Sequence, residues 1–213
     1  MSAGHIELLQ AGADGVARVR IRNPAKHNAL SVAMWQQLRA AFQQLQRADQ
    51  RTRVVLVCGE GGHFAAGGDI GEFPHFRFDA QRLHDFHEAT VAPALQAMLD
   101  CDTPLLAMIE GSCIGGGLEI AACCDLRIAA RSARLGIPIA RLGFPLAPSE
   151  AQIVARAIGL PLLRELLLEA RLLDADAALA RGIVHRVVAD AELQAQAAAS
   201  AARIASLSPQ AQR

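Results

Sequence analysis

Two glycine-rich stretches carry the residues that could do chemistry: HFAAGGDI, residues 63–70, and EGSCIGGGLEI, residues 110–120. Each follows an apolar run and is read as a turn leading into a helix. Glycine lets a ligand approach the main chain closely, and backbone N–H groups in such turns can point at one oxygen. Two turns facing each other would supply one N–H apiece to a single carbonyl oxygen. That arrangement suits a thioester whose carbonyl becomes an enolate. Either turn alone is equally well read as a tight connection. Glu119 lies three residues after Gly116, in the first turn of the helix predicted to follow. An acid there can offset the helix dipole, worth about 0.3–1 kcal/mol. It can also move a proton at a carbon beside a bound carbonyl. Position alone leaves both roles open.

Other glycine-loop chemistries fail on spacing. A dinucleotide fingerprint needs G-x-G-x-x-G, but Gly115-x-Gly117 runs on into Leu118, Glu119 and Ile120. No Gly-Lys-Ser/Thr closes a phosphate loop, and no G-x-S-x-G nucleophile elbow occurs.

The elements that must position these turns follow from the apolar pattern. His5–Leu9 and Val16–Ile21 flank AGADG and read as a hairpin, ended by Arg22-Asn23-Pro24. Ser31 is a plausible N-cap for a helix in which Val32, Trp35, Leu38, Phe42 and Leu45 recur at helical spacing. Val54–Val57 is a continuous apolar run, the mark of a strand covered on both faces, and it empties into a loop from Gly59 to Gly71. A helix is predicted over about Ala80–Leu99, then strands at Pro104–Ile109 and Leu126–Ala129. From Glu150 the chain reads as mostly helical, interrupted by a last short strand at Ile183–Val188 and closing on a helix over Ala191–Leu207. Alternating strands, loops and helices predict an α/β architecture with a helical C-terminal region.

Composition narrows the function classes. The chain has 213 residues, 52% of them hydrophobic, with 21 Lys and Arg against 21 Asp and Glu. That balance argues against a nucleic-acid binder, which needs clustered cationic charge, while leaving room for one local cationic pocket. Aromatics are only 4% and Tyr is absent, so base-stacking platforms are not expected. No apolar run reaches the roughly 18–20 residues of a spanning helix, and the start MSAGHIELLQ does not read as a secretory leader. Cys58, Cys101, Cys113, Cys123 and Cys124 show no C-x-x-C spacing, and most sit in apolar company. They read as buried thiols of a reducing compartment, and the protein is expected to be cytoplasmic, with no membrane or nucleic-acid partner.

In combination, the segments resemble the crotonase superfamily, the enoyl-CoA hydratase/isomerase family. RNPAKHNALS (22–31) is similar to its N-terminal motif, HFAAGGDI to its first oxyanion loop, and GSCIGGGLEIAACCDLRIA (111–129) to its signature. LGIPIARLGF (135–144) and ARLLDADAALARGIVHRVV (170–188) are similar to later blocks, in order, so the resemblance spans nearly the whole chain. It implies a crotonase-like ββα spiral core over residues 1–147 and a helical C-terminal region over 148–213, as one structural unit. It implies an acyl-CoA thioester as substrate, with coenzyme A entering as part of it, no separate cofactor and no metal. Assembly as a homotrimer or dimer of trimers is implied as well. The carbonyl would be held by the N–H groups of Gly68 and Gly116. Ala66, Gly68, Asp69, Ile70, Gly71, Gly116 and Ile139 would line the thioester and CoA site. Arg22 and Lys26 are candidates for the CoA phosphates, or ordinary solvated cations. Family hydratases often carry a lysine where this chain has Gly71.

Glu119 matches the first of two catalytic glutamates in typical hydratases, and the second position holds Ile139. An isoleucine can neither activate water nor deliver a proton. Glu150 is a possible second acid or base, although a first-turn helix acid after Pro148-Ser149 is the favoured reading. Glu119 alone could serve isomerisation, epimerisation or decarboxylation. The alternatives are a non-catalytic acyl-CoA-binding member and, on strand–glycine–helix recurrence alone, a nucleotide-dependent oxidoreductase. His84 and His87 could share a helix face near His75, but no further ligand stands at metal-binding spacing. Phe73, Phe76, Phe78 and Phe86 in that segment read as residues that shape substrate access or pack. Family members usually continue beyond SLSPQAQR into helices that help close the CoA site, so a looser C-terminal edge is expected.

Overall fold

The computed structural model describes residues 3–47 and 51–212. A six-stranded sheet runs in the order β1 (His5–Leu9), β2 (Val16–Arg22), β3 (Val54–Gly59), β4 (Leu105–Ile109), β6 (Leu126–Ala130), β9 (Arg186–Val188). β1 and β2 form the antiparallel hairpin, with His5 opposite Arg22, and every later neighbour is parallel. Strands buried on both faces read as unbroken apolar runs, and β3 shows why. Val55 and Val57 pack into the core under α1 (Val32–Arg47) and α3 (Ala92–Leu99), while Val54 and Leu56 pack against α8 (Leu193–Ser206). Ser31 does begin α1: its Oγ accepts from the Met34 N–H at 3.2 Å, and Glu72 adds a second cap by accepting from the Val32 N–H at 2.7 Å.

A second, smaller sheet escapes the sequence reading. It consists of β5 (Ser112–Ile114), β7 (Arg134–Gly136) and β8 (Leu173–Asp174). Isolated bridges from Leu30 to Gly68 and from Ala65 to Cys113 lay the first glycine loop alongside β5. The repeating unit is therefore a strand of the large sheet, a short stretch in the small one, then a helix. β4, β5 and α4 (Gly116–Ala122) form one such unit. The first glycine loop thus leads into a 3-10 turn at Phe73–His75, not directly into a helix.

The helix expected over 80–99 is also broken. α2 (Ala80–Asp85) gives way to a π-helical turn at Phe86–Val91 before α3. Pro93 has no N–H to give to the carbonyl four residues back, which weakens the α-helical ladder there. C-terminally, α5 (Pro148–Ile158) packs on α4, and α6 (Leu160–Glu169) packs on α5. After α7 (Ala175–Ala180), β9 joins the large sheet and α8 covers its outer face, so residues 148–212 close back over the core. β9 itself is shorter than the run read from sequence, beginning at Arg186.

Gly117 lies close against the first glycine loop: a Cβ there would meet the Ala65 carbonyl oxygen at 2.4 Å. Gly117→Ala is expected to lower unfolding stability by about 1–3 kcal/mol, the usual cost of overpacking. A urea denaturation midpoint equal to that of the parent chain would show that the approach is not constrained.

Candidate active site

The first loop is held between two segments. The Leu30 N–H donates to Gly67 O at 2.7 Å, and the Asp69 N–H donates to Leu30 O at 2.8 Å. On its other side the Ala65 N–H donates to Ser112 O and the Ile114 N–H donates to Ala65 O, both at 2.9 Å. All described peptides are trans, so a peptide's N–H points opposite to its C=O. With Gly67 O facing Leu30, the Gly68 N–H faces away from it. Gly115 O accepts from the Glu119 N–H at 3.0 Å, so the Gly116 N–H points out of the end of α4. Neither amide has a protein acceptor among the described residues. Gly67 at φ +90° and Gly115 at φ +52°, ψ −118° make both turns possible, in conformations that a side chain would strain.

Asn28 secures the base of this arrangement. Wholly buried, it accepts from the Asn23 N–H at 2.8 Å and donates to Glu60 O and His63 O at 2.7 Å each. Its φ of +60° is one that asparagine tolerates better than most residues.

Both amides open onto a cavity of about 120 Å³. Its walls are mainly apolar, with Trp35, Phe73, Phe86, Val91, Ile139 and Phe144 among them. Ala66, Gly68, Ile70, Gly116, Glu119 and Ile139 are thus brought together. Glu119 is 4% exposed and its carboxyl has no hydrogen-bond partner among the described residues. Burial first, and the neighbouring Glu150 carboxylate second, push it well above the usual carboxylate range.

Glu150 lies in the first turn of α5, as the sequence reading has it; it is also 2% exposed, lines the cavity, and places Oε1 2.7 Å from His87 Nδ1. His87 comes from the π-helical turn, whose wider winding puts Phe86, His87 and Val91 on the cavity wall together. Sequence reasoning noted His87 only as half of an i, i+3 pair. Its partner lies 63 residues away, and no local pattern announces that contact.

The proposed CoA contacts divide. Arg22 is not a free cation: it pairs with Glu7 at 3.1 Å and with Glu60 at 2.9 Å, and it does not line the cavity. Lys26 is half-exposed and reaches Asp69 at 2.6 Å, while Asp69 also accepts from the Gly71 N–H at 3.1 Å. Asp69 and Gly71 stay outside the cavity wall, where this bridge ties the loop to the turn at Pro24–Lys26. Among the described residues no cluster of three metal-ligating side chains occurs, and no helix is long and apolar enough to cross a membrane. Cys58, Cys113, Cys123 and Cys124 are buried, and burial raises each thiol's pKa, which disfavours the reactive thiolate.

Repeated ββα units with two outward amides over one cavity define a crotonase-type fold. Residues 11–213 match the family described as Enoyl-CoA hydratase/isomerase, and the chain belongs to it. It is 36% identical over 177 residues to the peroxisomal bifunctional enzyme of Pongo abelii, covering 82% of this chain. The match spans only 23% of that longer protein. Identity to a probable enoyl-CoA hydratase of Mycobacterium leprae is 32% over 188 residues, covering 87% of this chain and 73% of that protein. Among solved structures, an enoyl-CoA hydratase/carnithine racemase from Magnetospirillum magneticum superposes with a TM-score of 0.93 at 39% identity. That match covers 99% of this chain and 78% of the other.

The raised Glu119 gives stability a pH dependence of definite sign. A folded state that keeps a proton the unfolded chain has lost is destabilised as pH rises. The slope begins near the unfolded glutamate value of about 4.3 and ends once Glu119 ionises in the folded state. Glu119→Gln should remove this slope, so that its melting temperature gains on the parent chain as pH rises from about 5 to 8. A difference between the two that stays constant with pH would contradict the upward shift of Glu119.

Proposed function

We propose that this chain is an enoyl-CoA hydratase/isomerase, acting on an acyl-CoA thioester through an enolate. The observation that carries this reading is the buried carboxyl of Glu119 on the wall of the cavity onto which the Gly68 and Gly116 amides open. The thioester oxygen accepts from the two amides, and negative charge developing on it is stabilised by donors already in place. Glu119 transfers a proton at a carbon conjugated with that carbonyl. The apolar wall receives the acyl chain, and the CoA portion leaves along Ile70, which is 65% exposed, past the half-exposed Lys26 ammonium. Coenzyme A enters as part of the substrate, and no other cofactor belongs to this proposal. A role in fatty acid metabolism within the cytoplasm accords with this chemistry. Assembly into trimers accords with the exposed Leu160, Leu168, Leu172 and Leu179 on and between the C-terminal helices.

A panel of acyl-CoA thioesters, scored for hydration, double-bond isomerisation and decarboxylation, tests this reading. Glu119→Gln is expected to lower kcat by about 100-fold or more while thioester affinity stays within a few-fold. Unchanged turnover in that variant would sink the assignment.

A further inference from the structure

The cavity holds more proton-transfer capacity than Glu119 alone requires. Glu150 and His87 line the same wall, and their 2.7 Å contact is reinforced one residue away on each side, where Ser149 Oγ donates to Glu88 at 3.3 Å. Ile139, on the 3-10 turn Pro138–Leu142, lines the cavity too but carries no titratable group. We propose that Glu150, oriented by His87, is the second proton-transfer group of this site, its carboxylate arriving from α5 where the turn at 138–142 offers only isoleucine. This rests on the acyl-CoA reading above.

The contacts suggest the direction of transfer: an Nδ1–H of His87 can donate to the Glu150 carboxylate and hold it in place as the base, while Glu119, raised by burial, is placed to act as the acid. Glu150 takes a proton from the α-carbon of the thioester. The C–H electron pair becomes the new carbon–carbon double bond, and the carbonyl pair moves onto the oxygen held by Gly68 and Gly116. Glu119 then gives its proton to carbon, at the α-position or at the γ-position of an unsaturated chain. One proton leaves the substrate and one returns. The site ends with Glu119 ionised and Glu150 protonated, and exchange with solvent restores the starting state. His87 acts through Glu150 as a positioning residue.

Exchange of the α-hydrogens of butyryl-CoA in deuterium oxide, followed by NMR, reads this step without requiring the physiological substrate. Glu150→Gln keeps the shape of the side chain and a hydrogen-bonding group for His87 but removes the base. It should slow exchange by about 100-fold or more, with the affinity for butyryl-CoA unchanged. His87→Leu should lower the exchange rate at saturation while leaving the half-saturating concentration alone. His87→Asn, which places an N–H near the position of Nδ1, should recover most of that rate. A merely structural histidine would give no such recovery. Exchange in Glu150→Gln at the parent rate, with loss in Glu119→Gln, overturns the second group and leaves the function standing. Absence of both exchange and turnover in the parent chain overturns the function and this inference together.

Discussion

The segment Ala65–Gly68 is the constraint on which the rest of the site depends. It is held between the Leu30 bridge and β5 by hydrogen bonds to both sides, and the Gly68 N–H faces away from Leu30. Glycine eases this closeness to β5: a Cβ on Gly67 would sit a tight 3.2 Å from Ile114 O, and Gly67 and Gly115 both have positive φ, at +90° and +52°. Two amides belonging to loops far apart in sequence thus become neighbours by sheet pairing rather than by any flexible docking. A donor pair fixed in this way needs no reorganisation when charge appears on a substrate oxygen, which is the condition under which such donors are most effective.

That rigidity is supported by polar groups buried for the purpose. Asn28 ties the Asn23 turn to the start of the first loop with three hydrogen bonds, and Glu72 ties its end to the first turn of α1. Leaving any of these buried partners unsatisfied costs about 1–3 kcal/mol, so the loop has no inexpensive alternative conformation. Lys26 and Asp69 add an ion pair at the rim, half in solvent and correspondingly weaker. The same logic reaches the C-terminal half, where the buried Arg127 guanidinium donates to Ile183 O and Cys124 O and binds β6 to the segment before β9.

What the sequence made legible was whatever one local rule controls. The β3 run is apolar at every position from Val54 to Val57 because both its faces are covered, and Ser31 caps α1 within its own turn. Glu119 and the glycines around it were legible for the same reason. The small sheet was not, because β5 and β7 have three residues each and β8 two, too few to show a period. Arg22 looked free because its partners, Glu7 and Glu60, come from a neighbouring strand and a distant loop. The π-helical turn was hidden inside a segment whose apolar residues fit a helix well enough.

Glu119 and Glu150 show why the second half of the site required tertiary information. Both are glutamates, both lie in the first turn of a helix, and both are almost wholly buried. Two carboxylates in one dry cavity cannot both be ionised cheaply, because burial and mutual repulsion act in the same direction. A third group makes their surroundings unequal: of the two, only Glu150 has an imidazole within hydrogen-bond distance, while the Glu119 carboxyl has no hydrogen-bond partner among the described residues. Unequal surroundings of this kind are how paired titratable groups acquire distinct roles. The π-helical turn adds Phe86 to the same wall: Phe86 and Val91 are five residues apart and would lie on different faces of an uninterrupted α-helix, whereas His87 and Val91, four apart, share a face in either winding.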